Sequence, residues 1–530
     1  MNFDFKVLIT TSGIGSRLGE FTKYTNKTLL RVGKKPVLSH IIDSYPIDTK
    51  FVITLGYFGN QVKDFLELAY PLRKFEFVNV DPFEGDGSSL LFSMVCAKPH
   101  LQCPFIFHAS DTILTQDVPI PSKNWNAGFK GVGSSSYTSF DVSNNKVKVF
   151  YEKGNLTPDY LHIGVVGINN YKLFWEIADN FISNNKKDNS LNDVVVLREF
   201  IMEENLELFE IKEWYDIGSV EKIKIAKEKY SSKDFHVLDK VTESIFIVNG
   251  NIIKFFSDSQ ISINRVKRAK YISKAVPEIT GSKPNFYKYK LVDGKLFSEV
   301  ANRSNFIQLL TWAEKKLWNN VKTENIGFLK KVAYDFYFNK TILRIDQLQK
   351  NCNIKDKEEI INGILIPKLS QLLEDLDLSN LTDTIPSTFH GDFILDNIII
   401  QDNDNFQLID WRQDFGGELE VGDKYYDLAK LSHNLVINHN IIDNNQFKFE
   451  INENDEIHVN IHRLHSLVEC ESLYFKYLRD KNYDISKIKI LRSIIWLNMS
   501  PLHHYPFNLF LYYFGKYNLF IQLKQNNETV

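Results

Sequence analysis

The stretch FHGDFILDN (389–397) gathers His390, Asp392 and Asn397, and is followed by an aliphatic run NIII (397–400), a polar turn QDNDN (401–405) and FQLID (406–410). Read as strand, turn and returning strand, a hairpin of this length brings Asp410 back near Asn397. One carboxylate to orient or deprotonate a hydroxyl, with an Asn and a second Asp to hold Mg²⁺ on phosphates, is the set that phosphoryl transfer from ATP needs. A second stretch, TTSGIGSRLGEFTKYTNKTLLRVGKKP (10–36), follows the apolar run FKVLIT. Its Gly13, Gly15 and Ser16 suit a loop whose backbone N–H groups cradle phosphates. Arg17 and Lys27 suit attack by a phosphate monoester on the α-phosphorus of an NTP, where two anions meet and pyrophosphate leaves. Carboxylates for Mg²⁺ stand in HASD (108–111) and WYDIGS (214–219), as Asp111 and Asp216. Asp111 falls at the carboxyl end of an expected strand, where open α/β sheets bind ligands.

Two other phosphate loops are excluded by spacing. A Walker A loop needs Gly-Lys-Ser/Thr, which is absent, and a dinucleotide loop needs Gly where Leu18 stands. The loop, Lys27, GKKP (33–36) and the late Trp-aromatic-Asp-x-Gly-Ser motif together resemble the sugar-phosphate and phosphocholine nucleotidyltransferases. That resemblance covers about residues 1–230. It implies that Asp111 and Asp216 bind Mg²⁺, that EGDGSSL (84–90), with Gly85 and Ser88, is the base-binding turn, and that Glu152 and Lys153 of YEKG lie on the acceptor side. Asn26 departs from it, because most members have Pro before the Lys.

HGDxxxxN followed by Ile-Asp-Trp resembles the aminoglycoside phosphotransferase and choline kinase family over about residues 240–530. The resemblance implies that Asp392 is the catalytic base, that Asn397 and Asp410 bind Mg²⁺, and that Lys254 in NIIKFF contacts ATP phosphate. Asp423 and Asp427, in GDKYYDLAKLSHNL (422–435), either meet a polar or cationic acceptor or cap and pair on a helix. The helix NRVKRAKYIS (264–273) carries basic residues where a lysine-pairing Glu would stand. The aromatic segment 496–518 reads as a core, with a cage for a quaternary ammonium as the competing reading.

These sites need elements to position them. Short apolar runs alternate with helical stretches up to about residue 230, the rhythm of a mostly parallel sheet covered on both faces. The charged, Ser-containing stretch 227–240 reads as a linker. Hairpins are expected at 244–257, around Asn249-Gly250, and at 286–300, turning at Asp293-Gly294. From about 303 the chain is expected to be helical, interrupted only by the Asp392 stretch. The fold class is α/β: a Rossmann-like nucleotidyltransferase domain over 1–232 and a protein-kinase-like α+β domain over 233–530.

Size and composition set outer limits. The 530 residues exceed one hydrophobic core, and 43% apolar with 24% charged content is that of soluble globular proteins. A net charge of −3 gives no basic field for nucleic acid, and no apolar run is long enough to span a membrane. The N-terminus does not read as a secretory signal, and four scattered cysteines read as reduced thiols in a cytoplasmic protein. The expectation is a bifunctional enzyme. One half phosphorylates a small alcohol or sugar with ATP, and the other couples that phosphate to an NTP, with CTP favoured. Its product would feed bacterial capsule or lipopolysaccharide synthesis. The alternatives are an NDP-sugar synthase with a non-catalytic kinase-like half, and a fused antibiotic phosphotransferase.

Overall fold

The computed structural model describes residues 4–131, 136–154, 157–231, 240–323, 325–402 and 405–528. Most of the expected linker (227–240) lies outside the described residues. The chain forms two compact units, residues 1–262 with 280–291, and residues 263–279 with 292–530.

The first unit is built on a mixed sheet, nine strands among the described residues. In chain order these are β1 (Lys6–Thr10), β2 (Lys50–Leu55), β3 (Lys74–Asn79), β4 (Phe105–Ala109), β5 (Trp125–Phe129), β6 (Ser139–Ser143), β7 (Lys146–Tyr151), β8 (Tyr160–Ile168) and β9 (Glu207–Ile211). Their order across the sheet is β3-β2-β1-β4-β8-β5-β9-β7-β6. The half that carries the Gly-rich loop is parallel, since β1 pairs in parallel with both β2 and β4. Beyond it β8 runs antiparallel to β4 and β5, β9 pairs in parallel with β5, and β7 and β6 close the far edge antiparallel, so the expected mostly parallel sheet is mixed. β1 and β2 are buried along nearly all their length, as strands covered on both faces must be.

A four-stranded sheet also belongs to this unit: β10 (Glu243–Val248), β11 (Asn251–Phe256), β12 (Ile279–Lys283) and β13 (Phe286–Lys290), in the order β10-β11-β13-β12. β10 and β11 form the expected hairpin. Phe246, Val248, Ile253, Phe255 and Phe286 share one core with Phe65 and Leu66 of helix α1 (Gly59–Ala69). The ring of Phe65 meets Phe246 edge-on at 5.5 Å, and Lys283 bridges to Glu67 on the same helix. The boundary expected at 232/233 is therefore corrected. The small sheet packs its apolar face on the core around Phe65 and belongs to the first unit, not to a separate C-terminal domain.

In the second unit, helix α2 (Ser259–Tyr271, from Ile263 onward) precedes a three-stranded sheet of β14 (Lys295–Leu296), β15 (Ile398–Ile400) and β16 (Phe406–Leu408). The hairpin expected at 286–300 does not form. β14 pairs with β15 and β13 with β11, because Gly294, at φ 144, sends the chain against Ile399 and Ile400. The helices α3 (Lys340–Cys352), α4 (Lys424–Val436), α5 (Ile485–Met499) and α6 (Phe507–Glu528) make up much of the rest. A further four-stranded sheet from 359–366 and 447–461 interrupts them, contrary to the all-helical expectation. The aromatic segment 496–518 is a core. Trp496, Phe510 and Tyr512 are fully buried, and Trp496, Phe507 and Phe510 stack among Phe447 and Phe514. No described helix is long and apolar enough to cross a membrane.

Candidate functional sites

The Gly-rich loop leaves β1 and is tied down at both ends. Gly15 takes φ 70, and a Cβ there would crowd Lys27, so glycine lets the loop close onto the lysine. Asn26, the unexpected residue, is fully buried and explains itself. Its amide donates to the carbonyls of Thr11 (2.8 Å) and Tyr57 (2.6 Å), and its oxygen accepts from the Thr28 backbone (3.0 Å). Proline could make none of these bonds, so the loop is held by hydrogen bonds where a ring would stiffen it.

Lys27 reaches Asp111 at 2.8 Å. Burial alone would raise the Asp111 carboxyl, but Lys27 and Arg17 hold it below its ordinary value. A short two-stranded ladder sets Asp216 opposite Thr112, and the Ile217 amide donates to the Asp111 carbonyl at 2.8 Å. The two expected metal carboxylates thus leave neighbouring strand ends. Asp216 also accepts from Lys222 (2.6 Å), the Tyr137 hydroxyl (2.7 Å) and the Gly218 amide (2.6 Å). A Cβ on Gly218 would come within 3.2 Å of the Arg17 guanidinium, so Arg17 lies over this glycine. Arg17, Lys27, Asp111 and Asp216 therefore form one cluster, to which the structure adds Lys222 and Tyr137. Neither of these was read from the sequence, though Lys222 follows the Asp216 motif within one helical turn.

The expected base-binding turn neighbours this loop. Ser89 caps the helix Leu90–Ala97, and Ser93 of that helix bonds Ser12 at 2.8 Å. Gly85 and Gly87 both take φ 84, and Ser88 closes the turn onto the Gly85 carbonyl at 2.6 Å. Glu152 and Lys153 are exposed, and the ion pair of Glu152 runs to Arg198, not to the Asp111–Asp216 cluster.

In the second unit the Asp392 loop is gripped from below. Asp427 on α4 is fully buried and accepts from the backbone of His390 and Gly391, each at 2.7 Å, and from Trp318 at 3.0 Å. Asp423 is fully buried too, caps α4 through Tyr425 and accepts from Tyr337 (2.8 Å) and Ile385 (3.0 Å). These two are corrected from possible acceptor contacts to supports, since their oxygens are spent on protein donors. Burial pushes Asp427 up to about 6, against the pull of its backbone donors. Arg268, on the helix whose basic residues broke the expected pattern, is also buried and donates to the carbonyls of Phe389, Arg412 and Leu419. This unexpected cation is a loop anchor.

At the top of the loop, Asn397 donates to the Asp392 carbonyl (3.0 Å) and carboxylate (3.1 Å), which leaves its own oxygen free to accept. Burial alone would raise the Asp392 carboxyl, but Lys430 at 2.8 Å holds it well below the usual carboxylate range. The His390 Nδ1 accepts from the Asp392 amide at 3.2 Å and its Nε2 bonds the Ile409 carbonyl at 2.9 Å. Burial keeps this imidazole neutral, its pKa drawn down to about 4. Asp410 follows β16 in a left-handed conformation, φ 60, with Arg265 at 3.4 Å. Lys254 lies on β11 of the first unit, 2% exposed, whereas Asp392, Asn397 and Asp410 belong to the second.

No family model matches the chain. It is similar to the bifunctional protein GlmU of Methanococcus vannielii, 23% identical over 258 residues, which is 46% of this chain and 60% of that protein. The chain thus spans about 60% of the length of this curated relative. Among solved structures it is similar to the CTP:phosphocholine cytidylyltransferase LicC of Streptococcus pneumoniae, at 17% identity over 42% of this chain and 98% of that one, TM-score 0.35. The inositol-1-phosphate CTP transferase of T. maritima is another, at 14% identity over 42% of this chain and 95% of that one, TM-score 0.35. The N-terminal half is an α/β unit built on a mixed sheet. The C-terminal half has no counterpart among these three.

Both clusters offer hard oxygen donors suited to Mg²⁺. Asp111 and Asp216 supply carboxylates, and Asn397 and Asp410 an amide oxygen and a carboxylate. Mg²⁺ is commonly held by one or two such groups together with substrate phosphates. Among the described residues no cluster of three or more His, Cys, Asp or Glu is placed to hold a metal ion, so the substrate phosphates would complete each set.

Proposed function

We propose that the chain is a bifunctional enzyme, with an NTP-dependent nucleotidyltransferase in its first unit and an ATP-dependent small-molecule kinase in its second. The observation that carries the first activity is the Arg17, Lys27, Asp111 and Asp216 cluster beside a Gly-rich loop. A phosphate monoester oxygen attacks the α-phosphorus of the NTP, the bond to the β-phosphate breaks, and pyrophosphate leaves. Arg17, Lys27 and Lys222 offset the charge that gathers there. CTP is the nucleotide that the sequence resemblance favours.

The second activity rests on Asp392, fixed by Lys430 and Asn397 within a loop anchored by Asp427 and Arg268. The acceptor hydroxyl attacks the γ-phosphorus, its proton passes to Asp392, and ADP leaves. A carboxylate held so far below its ordinary value is a weak base. It orients the hydroxyl first and takes the proton late, as suits a loose transition state. Mg²⁺, held by Asn397 and Asp410, would neutralise phosphate charge. Because a nucleotidyltransferase of this type consumes phosphate monoesters and such a kinase makes them, the two reactions follow in sequence. The NDP-activated product would serve bacterial surface polysaccharide synthesis.

A second reading, an NDP-sugar synthase with a non-catalytic second unit, has one observation in its favour, the Arg265 cation beside Asp410. Purified protein assayed for pyrophosphate release across the four NTPs with a panel of phosphate monoesters, and for ADP release with the parent alcohols, separates the two. Pyrophosphate without ADP under all acceptors would leave only the second reading.

A further inference from the structure

A cavity of about 170 Å³ opens beside Lys430, the ion-pair partner of Asp392, in the second unit. Lys340 and Arg344 of α3, Arg412 just after Trp411, and Lys430 of α4 line it, over an apolar floor that includes Leu491 and Ile494 of α5. Lys430 is the residue that holds Asp392, at 2.8 Å, so one wall of the cavity is the direct partner of the carboxylate that would meet the acceptor hydroxyl. The charge is lopsided. Of these four cations Lys430 has a carboxylate partner, while among the described residues Lys340, Arg344 and Arg412 have none within ion-pair distance.

What they have is weak. The Arg344 guanidinium donates to the Asn498 carbonyl at 3.3 Å, and Lys340 and Arg412 lie over the Phe336 ring at 4.5 and 4.7 Å. The Arg412 Nε is buried without a hydrogen-bond partner. Crowded cations repel one another. Burial first, then Arg412, Arg344 and Lys430, draw the Lys340 ammonium down to about 7, and Asp414 opposes them only in part. A half-buried group of like charges costs stability unless a ligand brings the opposite sign. Planar guanidiniums in pairs are the arrangement that recognises oxyanions.

A quaternary ammonium is disfavoured here: Phe336, Tyr337 and Tyr426 line the cavity, but the ligand would face the net positive charge of Lys340, Arg344, Arg412 and Lys430. We infer that the acceptor of the C-terminal site is a small alcohol carrying an oxyanion, seated on Lys340, Arg344 and Arg412 with its hydroxyl toward Asp392. This rests on the kinase reading above and narrows its acceptor class.

The test uses the full chain with ATP and Mg²⁺. ADP release is measured with glycerate and glycerol 3-phosphate, with neutral glycerol, and with choline. Calorimetry in parallel measures binding of the same compounds without ATP. The expected result is turnover of at least one anionic alcohol with kcat/KM about 10–100-fold above glycerol, the scale of a charged hydrogen bond, and none with choline. Arg344→Gln should raise the KM for that acceptor about tenfold and leave the KM for ATP unchanged, with Arg344→Lys intermediate and the melting temperature of each variant as a control for folding. Choline or glycerol turned over as well as the anionic alcohols would overturn the inference and keep the kinase. So would a rise in the KM for ATP alone, which would make the cavity a nucleotide-phosphate site. Oxyanion binding that Arg344→Gln abolishes, without ADP release from any acceptor, would keep the anionic pocket and sink the kinase reading.

Discussion

The two clusters solve one problem, a carboxylate held ready beside a lysine, in different ways. In the first unit Lys27 and Lys222 come from the same motifs that carry the functional residues, and Asn26 next to Lys27 ties the loop down. In the second, the Asp392 loop hangs on residues far from it in sequence. Asp427 holds its backbone from α4, Arg268 from α2, and Lys430 holds its carboxylate. A loop at the carboxyl end of an inner strand needs little beyond the strands that flank it. A loop between a hairpin and a helical lobe needs anchors from both, so its integrity depends on tertiary packing.

The strongest way to break this comparison is to cut the first unit short. A fragment ending at residue 232 loses Phe246, Val248, Ile253, Phe255 and Phe286 from the core around Phe65. At roughly 1.5–3 kcal/mol for each large buried side chain, the loss is on the order of 10 kcal/mol, as large as the whole stability of many domains. The fragment should be insoluble or lack a cooperative melt, and a soluble, cooperatively melting fragment would show the first unit to be self-sufficient without the small sheet.

Next come the chemical groups. Asp392→Asn should lower acceptor phosphorylation about 10²–10⁴-fold, and pyrophosphate release from a supplied phosphate monoester should be unchanged. Lys27→Ala should do the converse, with about a 10²–10³-fold loss of NDP product and normal ADP release. Parallel assays of both reactions decide it, and a variant that damages both would deny two separable sites.

A smaller effect is expected at the support. In Asp427→Asn one acceptor oxygen must serve donors that now share two, so a buried amide of His390 or Gly391, or the Trp318 indole, goes unsatisfied. The expected cost is about 1–3 kcal/mol, seen as a lower melting temperature, with the kinase rate reduced and the nucleotidyltransferase rate intact. No change in either the melt or the kinase rate would remove Asp427 from the anchor role.

The smallest effect concerns acid. His108 is buried between the Tyr45 hydroxyl (2.8 Å) and the Thr112 carbonyl (2.9 Å), and burial draws its pKa from 6.5 to about 4. Between those values the unfolded chain binds a proton that the folded state refuses, so stability falls as pH drops from 6.5 toward 4. In the second unit Asp427, whose folded pKa is raised to about 6, works in the opposite direction and offsets His390. Melting of His108→Gln against pH should show a shallower acid slope than the wild type. An identical slope would place the acid sensitivity elsewhere.

The sequence by itself determined the elements that neighbours in the chain can define. The parallel strands around the Gly-rich loop, the β10–β11 hairpin at Asn249-Gly250 and the return of Asp410 after β16 follow from short-range pattern and turn chemistry. Tertiary structure decided the rest. The small sheet's apolar face could have packed on either half, because burial is non-directional and alternation in a strand does not name its partner. In the sequence Arg265 and Arg268 only mark where a lysine-pairing Glu is missing, and the folded chain places one beside Asp410 and the other beneath Phe389. Asp423 and Asp427 were ambiguous for the same reason: a carboxylate's role depends on which donors surround it. The cation cavity joins residues 340, 344, 412 and 430, up to 90 positions apart, and only their convergence on one cavity, with Lys430 paired to Asp392, turns four ordinary surface-type residues into a candidate anion site.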